Sequence, residues 1–363
     1  MSRRRTALVT AGLAAGAVAS GLAGRAVLSR HRRVDPEALA DLSVLPPEDL
    51  GSVASFDGTE LSVRAAGDPS HPVLLFVHGF SLDMTTWHYQ WTALSDRYRC
   101  VLFDLRSHGR SARAASGDLS PAAFARDLTA VLDAVVPDQA LVIGHSMGGM
   151  SILAAAQARP DLFTGRVAGA VFAGTASSDL LAGAMGSVTE LLRPRLGSLL
   201  QAAQRVNRVR RYMVSSRADV SHVFTRMTQF GPEASPALVD HIVGLAARAP
   251  SDVWTDGLVG LMDMDLRDAV QHVKVPALVI VGEHDRVTPP AAAVRLAAAL
   301  PEGRLEVIAG AGHLPMLERH EEFNAKIRAF AERTLTAPAA PLTKSARPPK
   351  ASKSANGRRG TTS

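Results

Sequence analysis

Short apolar runs alternate with helical patterns along most of this chain. That alternation predicts an α/β fold, a mostly parallel twisted sheet flanked by helices on both faces. Two further observations refine it. Asp57-Gly58 sits between two strand-like stretches and predicts a hairpin, hence an antiparallel edge. The strand rhythm stops after Ala176 and resumes at Val275, which predicts a helical insertion over residues 177–274.

Taken in order, residues 53–64 form the hairpin, and Val73-Leu-Leu-Phe-Val77 is a continuous apolar run ending at His78-Gly79. Further runs cover 100–105, 140–144, 167–173, 277–281 and 305–308. Runs of this length, rich in Val, Leu and Ile, are expected to be strands buried on both faces. Helical patterns over 122–136, 150–159 and 291–300 supply the crossovers. The core therefore spans 50–176 and 275–333, with 177–274 placed above it as a lid. Lid methionines (Met185, Met213, Met227, Met262, Met264) suit an apolar chain, or they pack the lid's own core. Residues 193–226 hold eight Arg against one acid, Asp219. That stretch reads as solvated helix faces, or as a surface for membrane or anionic substrate.

Charge misleads about partners. The net +6 and pI near 10.0 resemble a nucleic-acid binder, yet residues 1–33 hold seven Arg and no acid, and 337–363 hold six Lys or Arg and no acid. Those ends contribute +13, so the body over 34–336 carries −7 and shows no nucleic-acid recognition motif. No nucleic acid is expected as a partner. His and acidic residues do not cluster at ligand spacing, so neither metal nor cofactor is expected. The lone Cys100 lies in an apolar run and is expected to be a buried, inert thiol.

The ends read separately from the body. Arg3-Arg4-Arg5 precedes 19 uncharged residues, Thr6 to Gly24, about the length of one bilayer crossing. A signal peptide with Ala17-Val18-Ala19 near its cleavage point and an uncleaved anchor both fit, and a twin-arginine signal fits less well. Arg25, Arg30, Arg32 and Arg33 leave the orientation ambiguous. The expectation is a membrane-anchored or exported protein, with the cytoplasmic face left open. The tail 337–363, rich in Pro, Ser, Ala and Lys, is expected to be disordered.

Ala140-Leu-Val-Ile-Gly144-His145-Ser146-Met147-Gly148-Gly149 carries the chemistry. A strand enters Gly-X-Ser-X-Gly and a helix leaves it, the context of a nucleophile elbow. Bulky side chains two positions either side of the serine would collide with neighbouring backbone. The helix N-terminus also favours developing negative charge. A serine nucleophile makes an acyl-enzyme the expected intermediate.

With these residues in place the chain resembles the α/β-hydrolase superfamily, in its lid-bearing serine esterase, lipase and perhydrolase-like branch. The resemblance covers about residues 50–333 and rests on five motifs in order: His78-Gly79-Phe80, Asp104-Leu-Arg106-Ser-His-Gly109-Arg-Ser111, the elbow, Gly282-Glu-His-Asp285-Arg-Val-Thr-Pro289 and Gly310-Ala-Gly312-His313. It implies an α/β-hydrolase fold and a triad in the order Ser146, Asp285, His313. Asp285 is preferred to its neighbour Glu283 by family position. It would orient the imidazole of His313, which takes the proton from Ser146 and returns it to the leaving group. The backbone N–H groups of Met147 and Phe80 would form the oxyanion hole. His78, His108 and His145 are expected to be structural, as are Asp104 and Arg106. Ser107 stands where the family's segment usually has glycine.

The resemblance implies a serine hydrolase acting on a carboxylic ester or related acyl bond, with a small or lipid-like ester as substrate. A serine nucleophile argues against the epoxide hydrolases and haloalkane dehalogenases of this fold, which use aspartate. Three alternatives stay open on the same residues: a cofactor-free perhydrolase, a C–C bond hydrolase, and a hydrolase-fold ligand receptor with little turnover.

Overall fold

The computed structural model describes residues 35–178, 219–262 and 264–335. The basic leader, the tail and residues 179–218 of the expected lid, Met185 and Met213 among them, lie outside the described residues. Eight strands form one sheet: β1 Glu48–Ala54, β2 Glu60–Ala66, β3 Val73–Val77, β4 Arg99–Phe103, β5 Ala140–His145, β6 Val167–Ala173, β7 Ala277–Gly282 and β8 Gly303–Ile308. Their order is β1-β2-β4-β3-β5-β6-β7-β8. The two pairings made by β2 are antiparallel and all others are parallel. The expected hairpin is β1–β2, and Gly58 turns it at a φ of +83°.

Both faces of the sheet are covered. Val73, Leu75 and Val77 of β3 enter one core, and the alternate Leu74 and Phe76 enter the other. The first core is closed by α2 (Pro121–Val135), α3 (Met147–Ala158) and α6 (Pro290–Ala299). The second is closed by α1 (His88–Leu94), α5 (Pro236–Arg248) and α7 (His320–Leu335). Phe323, Ile327, Phe330 and Ala331 make the buried stripe of α7 at helical spacing. Each large side chain so buried stabilises the fold by about 1.5–3 kcal/mol.

Two expectations about elements are corrected. β3, β4, β5 and β7 are buried throughout, but β8 is not, and its Val307 is 46% exposed. β8 is the last strand of the sheet and has a neighbour on one side only. The helix after the elbow begins at Met147, three residues before the expected start at 150. Gly148-Gly149 reads as a turn by propensity, yet packing requires those glycines inside the helix.

Of the expected insertion, α4 (Asp219–Gln229), α5, a π-turn at Val253–Gly257 and a short helix at Leu258–Met262 are described, and all are helical. Met264 packs into the first core, whereas Met227 is 60% exposed. Within the basic stretch, Arg226 turns inward and donates from Nη1 to the carbonyl of Gly231 at 2.6 Å. Ser120 and Ser235 cap α2 and α5, each followed by proline, as local sequence preference dictates. Asp35 reinforces the second cap by accepting from Ser235 Oγ (2.8 Å) and Ala237 N (3.1 Å). Among the described residues, no helix is long and apolar enough to cross a membrane.

Candidate active site

Three non-glycine residues among those described have positive φ: Ser81 (58°), Ser107 (61°) and Ser146 (51°). They follow β3, β4 and β5, at the carboxyl ends of the parallel strands, where open α/β sheets bind ligands. Such backbone is strained by about 1–3 kcal/mol per residue and persists only where its surroundings impose it. Ser107 also explains why glycine suits its position.

Ser146 is held between β5 and α3. Its N–H donates to the Ala173 carbonyl (2.8 Å), and its own carbonyl accepts from Met150 N (3.1 Å) and Thr175 Oγ1 (3.3 Å). The glycines around it are set by close approach. A Cβ on Gly144 would lie 2.5 Å from the Gly148 carbonyl carbon, and one on Gly148 would lie 2.2 Å from the Val77 carbonyl oxygen. The N-terminus of α3 is thereby pressed against the end of β3.

His313 and Asp285 meet directly. His313 Nδ1 donates to Asp285 Oδ2 at 2.9 Å, and the two residues are each 3% exposed. The other carboxylate oxygen accepts from Val287 N (2.9 Å) and Thr288 N (2.8 Å), while Thr288 Oγ1 donates to Oδ2 (2.8 Å). Asp285 therefore has a fixed orientation, and His313 has Nε2 left as the acceptor nitrogen. Glu283 is turned away: it accepts from Gly310 N (3.0 Å).

The His313 ring lies over Gly174, whose Cβ would come 3.1 Å from Nδ1, and Gly174 directly follows the residue that holds Ser146 N. Ser146 itself is 8% exposed, and its hydroxyl makes no hydrogen bond among the described residues. The structure thus joins His313 to Asp285 directly and sets the His313 ring against Gly174, next to the Ala173 carbonyl that holds Ser146 N.

The N–H groups of Phe80 and Met147 have no acceptor among the described residues. They belong to the two segments that Gly148 packs together. The Phe80 ring meets Trp254 of the π-turn edge-on, with centroids 5.2 Å apart. The described part of the insertion therefore covers this loop.

The other histidines brace loops. His78 Nδ1 donates to the Gly79 carbonyl (2.8 Å) and Nε2 accepts from Leu105 N (3.0 Å). His108 Nδ1 donates to the Arg106 carbonyl (2.8 Å) and Nε2 accepts from Ser81 N (3.2 Å). Burial lowers both imidazoles, to about 4 and about 3, so both are neutral acceptors at physiological pH. Asp104 takes Met84 N (2.7 Å) and Arg110 N (2.7 Å), and Arg106 is buried among carboxylates. Burial also holds the Cys100 thiol up.

Sequence reasoning missed four contributors. Thr288 orients Asp285, Trp254 covers Phe80, and Glu318 accepts from Gly312 N (2.7 Å). His145, expected only to pack, donates from Nε2 to the His313 carbonyl (2.9 Å). Only Thr288 had a local signal, since Asp-X-X-Thr supports an Asx-type turn. Among the described residues, no group of three or more His, Cys, Asp or Glu is arranged to hold a metal ion.

Sheet order, elbow and the Asp–His pair define an α/β hydrolase. The profile of the alpha/beta hydrolase family matches residues 74–326, and the chain belongs to that family. It is 29% identical over 287 residues to a non-heme chloroperoxidase of Streptomyces lividans, covering 77% of this chain and 99% of that protein. It is 26% identical over 277 residues to 3-oxoadipate enol-lactonase 2 of Acinetobacter baylyi, covering 75% and 93%. Among solved structures, an esterase from Exiguobacterium antarcticum superposes with a TM-score of 0.65 at 23% identity, covering 78% of this chain and 99% of that one.

Proposed function

We propose that the protein is a serine hydrolase that cleaves a carboxylic ester through an acyl-enzyme on Ser146. The observation that carries the reading is the bond from His313 Nδ1 to Asp285 Oδ2, made beside a serine in a strained strand-to-helix turn. Asp285 orients the imidazole, and Nε2 accepts the Ser146 proton as Oγ attacks the acyl carbon. The oxyanion forms against the N–H groups of Phe80 and Met147 at the start of α3. The imidazolium then protonates the leaving alcohol, and water resolves the acyl-enzyme by the same path. The proposed site needs no cofactor.

A fluorophosphonate probe with a p-nitrophenyl ester series of rising chain length tests this. Labelling at Ser146 and turnover that sorts by chain length are expected. Asp285→Asn should keep both turn contacts at Oδ1 but present an amide to Nδ1, lowering kcat by about 10⁴-fold through the wrong tautomer. Absence of both labelling and turnover would leave the ligand-receptor reading.

The relative named as a non-heme chloroperoxidase favours a second reading, in which peroxide replaces water in resolving the acyl-enzyme. Peracid formation from a carboxylic acid and hydrogen peroxide, lost in Ser146→Ala, would support it. The N-terminal segment, outside the described residues, is proposed to anchor or export the protein. Fractionation of full-length protein against protein lacking residues 1–33 tests that.

A further inference from the structure

The loop bearing His313 is held by a carboxylate with no part in the proton path. Glu318 ends the turn Pro315–Glu318. Its Oε1 accepts from Gly312 N at 2.7 Å, and its Oε2 accepts from Gly231 N at 2.6 Å. Gly312 precedes the base, whereas Gly231 lies just beyond α4 in the insertion. One carboxylate thus joins two segments 81 positions apart.

The seam around it is close-packed. The His313 N–H donates to the Gln229 carbonyl at 2.7 Å. A Cβ on Gly231 would lie 2.0 Å from the Gly310 carbonyl oxygen, and one on Gly312 would lie 2.5 Å from the Phe230 carbonyl carbon. Phe230 is 1% exposed and shares a core with Leu314 and Met316. Arg226 holds the Gly231 carbonyl from the insertion side, and Arg319 pairs with Glu233 at 3.2 Å. On the far side His145 holds the His313 carbonyl, so both polar groups of the base's backbone are taken.

We infer that Glu318 is a positioning residue, whose carboxylate locks the His313 loop to the strap Gln229–Gly231 so that the base is in place only when the insertion is seated. The inference rests on the acyl-transfer reading above. Burial raises the Glu318 carboxyl to about 7, against the pull of the two N–H donors and of Arg226 and Arg319. A carboxyl raised in this way gives stability that is present below its ordinary 4.5 and lost as pH rises through about 7. Above about pH 7, the ionised group contributes placement rather than net stability. Glutamine has nearly the same shape but a single acceptor, and its amide would oppose one of the two N–H donors.

Glu318→Gln in the full chain tests this, with kcat and KM on p-nitrophenyl acetate expressed per active site titrated by fluorophosphonate. Titration removes any loss of folded protein from the comparison. Displacing the base by a fraction of an ångström to one ångström is expected to lower kcat per site by about 10- to 100-fold, with KM within about twofold of wild type. Arg226→Met, which frees the strap while keeping both acceptor oxygens of Glu318, should shift kcat in the same direction. Glu318→Asp, which keeps both acceptors, should lose less than Glu318→Gln. An unchanged kcat per titrated site in Glu318→Gln overturns the inference alone. Wild-type protein that is neither labelled nor active overturns the acyl-transfer reading, and this inference with it.

Discussion

Ser146→Ala is expected to abolish the proposed ester turnover and fluorophosphonate labelling while leaving the fold intact. The expected loss in kcat is about 10⁶-fold, the scale seen when the nucleophile of a serine hydrolase is removed. Stability should change little. Ser146 is anchored by its backbone, through Ala173, Met150 and Thr175, and among the described residues its hydroxyl makes no bond that alanine would lose. Alanine bears the same Cβ at the same positive φ, so strain is equal in both. Residual turnover near wild type would place the nucleophile elsewhere. Unfolding of the variant, read by circular dichroism, would show that the hydroxyl supports the elbow after all.

Arg106→Met is the largest stability effect expected. The guanidinium is fully buried and grips Asp127 with two bonds, from Nε at 2.8 Å and Nη2 at 2.7 Å. It also reaches Asp57 Oδ2 (3.0 Å) and Ser55 Oγ (3.1 Å) in the β1–β2 turn. Removing one member of a buried ion pair costs about 3–5 kcal/mol, because the partner charge remains desolvated. Burial already raises Asp127 in spite of Arg106, so its loss should raise that carboxyl further. A raised carboxyl stabilises at low pH and loses that contribution as pH rises. The gap to wild type, read from urea midpoints, should therefore widen from pH 5 to pH 8. Replacing Asp127 with leucine in the same chain should recover part of the loss. A penalty below about 1 kcal/mol at pH 8 would be the range of an exposed ion pair and would contradict this account. Activity should fall as well, since the Arg106 carbonyl holds His108, and His108 holds Ser81 beside Phe80.

The fold was legible because its strands are continuous apolar runs, a pattern that survives without knowledge of neighbours. The boundaries of β3 and β6 follow from it directly. β8 was misread because its run of Leu, Val and Ile looks like an interior strand, and only the sheet order makes it an edge. The start of α3 was missed because glycine propensity and the space available to glycine point in opposite directions there. The elbow and the Asp285 and His313 loops stood out because glycine and proline punctuate them. Glu318, Trp254 and the contact of His145 with His313 had no local pattern. Each acts on a residue brought near by the fold, and nothing within a few positions of it betrays the partner.

The strand order carries one more consequence. Ser146, Phe80 and Met147 belong to the stretch that ends with β6, while Asp285 and His313 belong to the stretch that includes β7. The strands of the two stretches adjoin along four residue pairs, Ala170 to Ala173 beside Ala277 to Ile280. If the proposed triad holds, a chain divided between residues 178 and 219 would leave each fragment with part of the chemistry and none of the turnover. Activity in a mixture of the two fragments would then count reassembled molecules, which makes the enzyme its own reporter of whether that seam has closed.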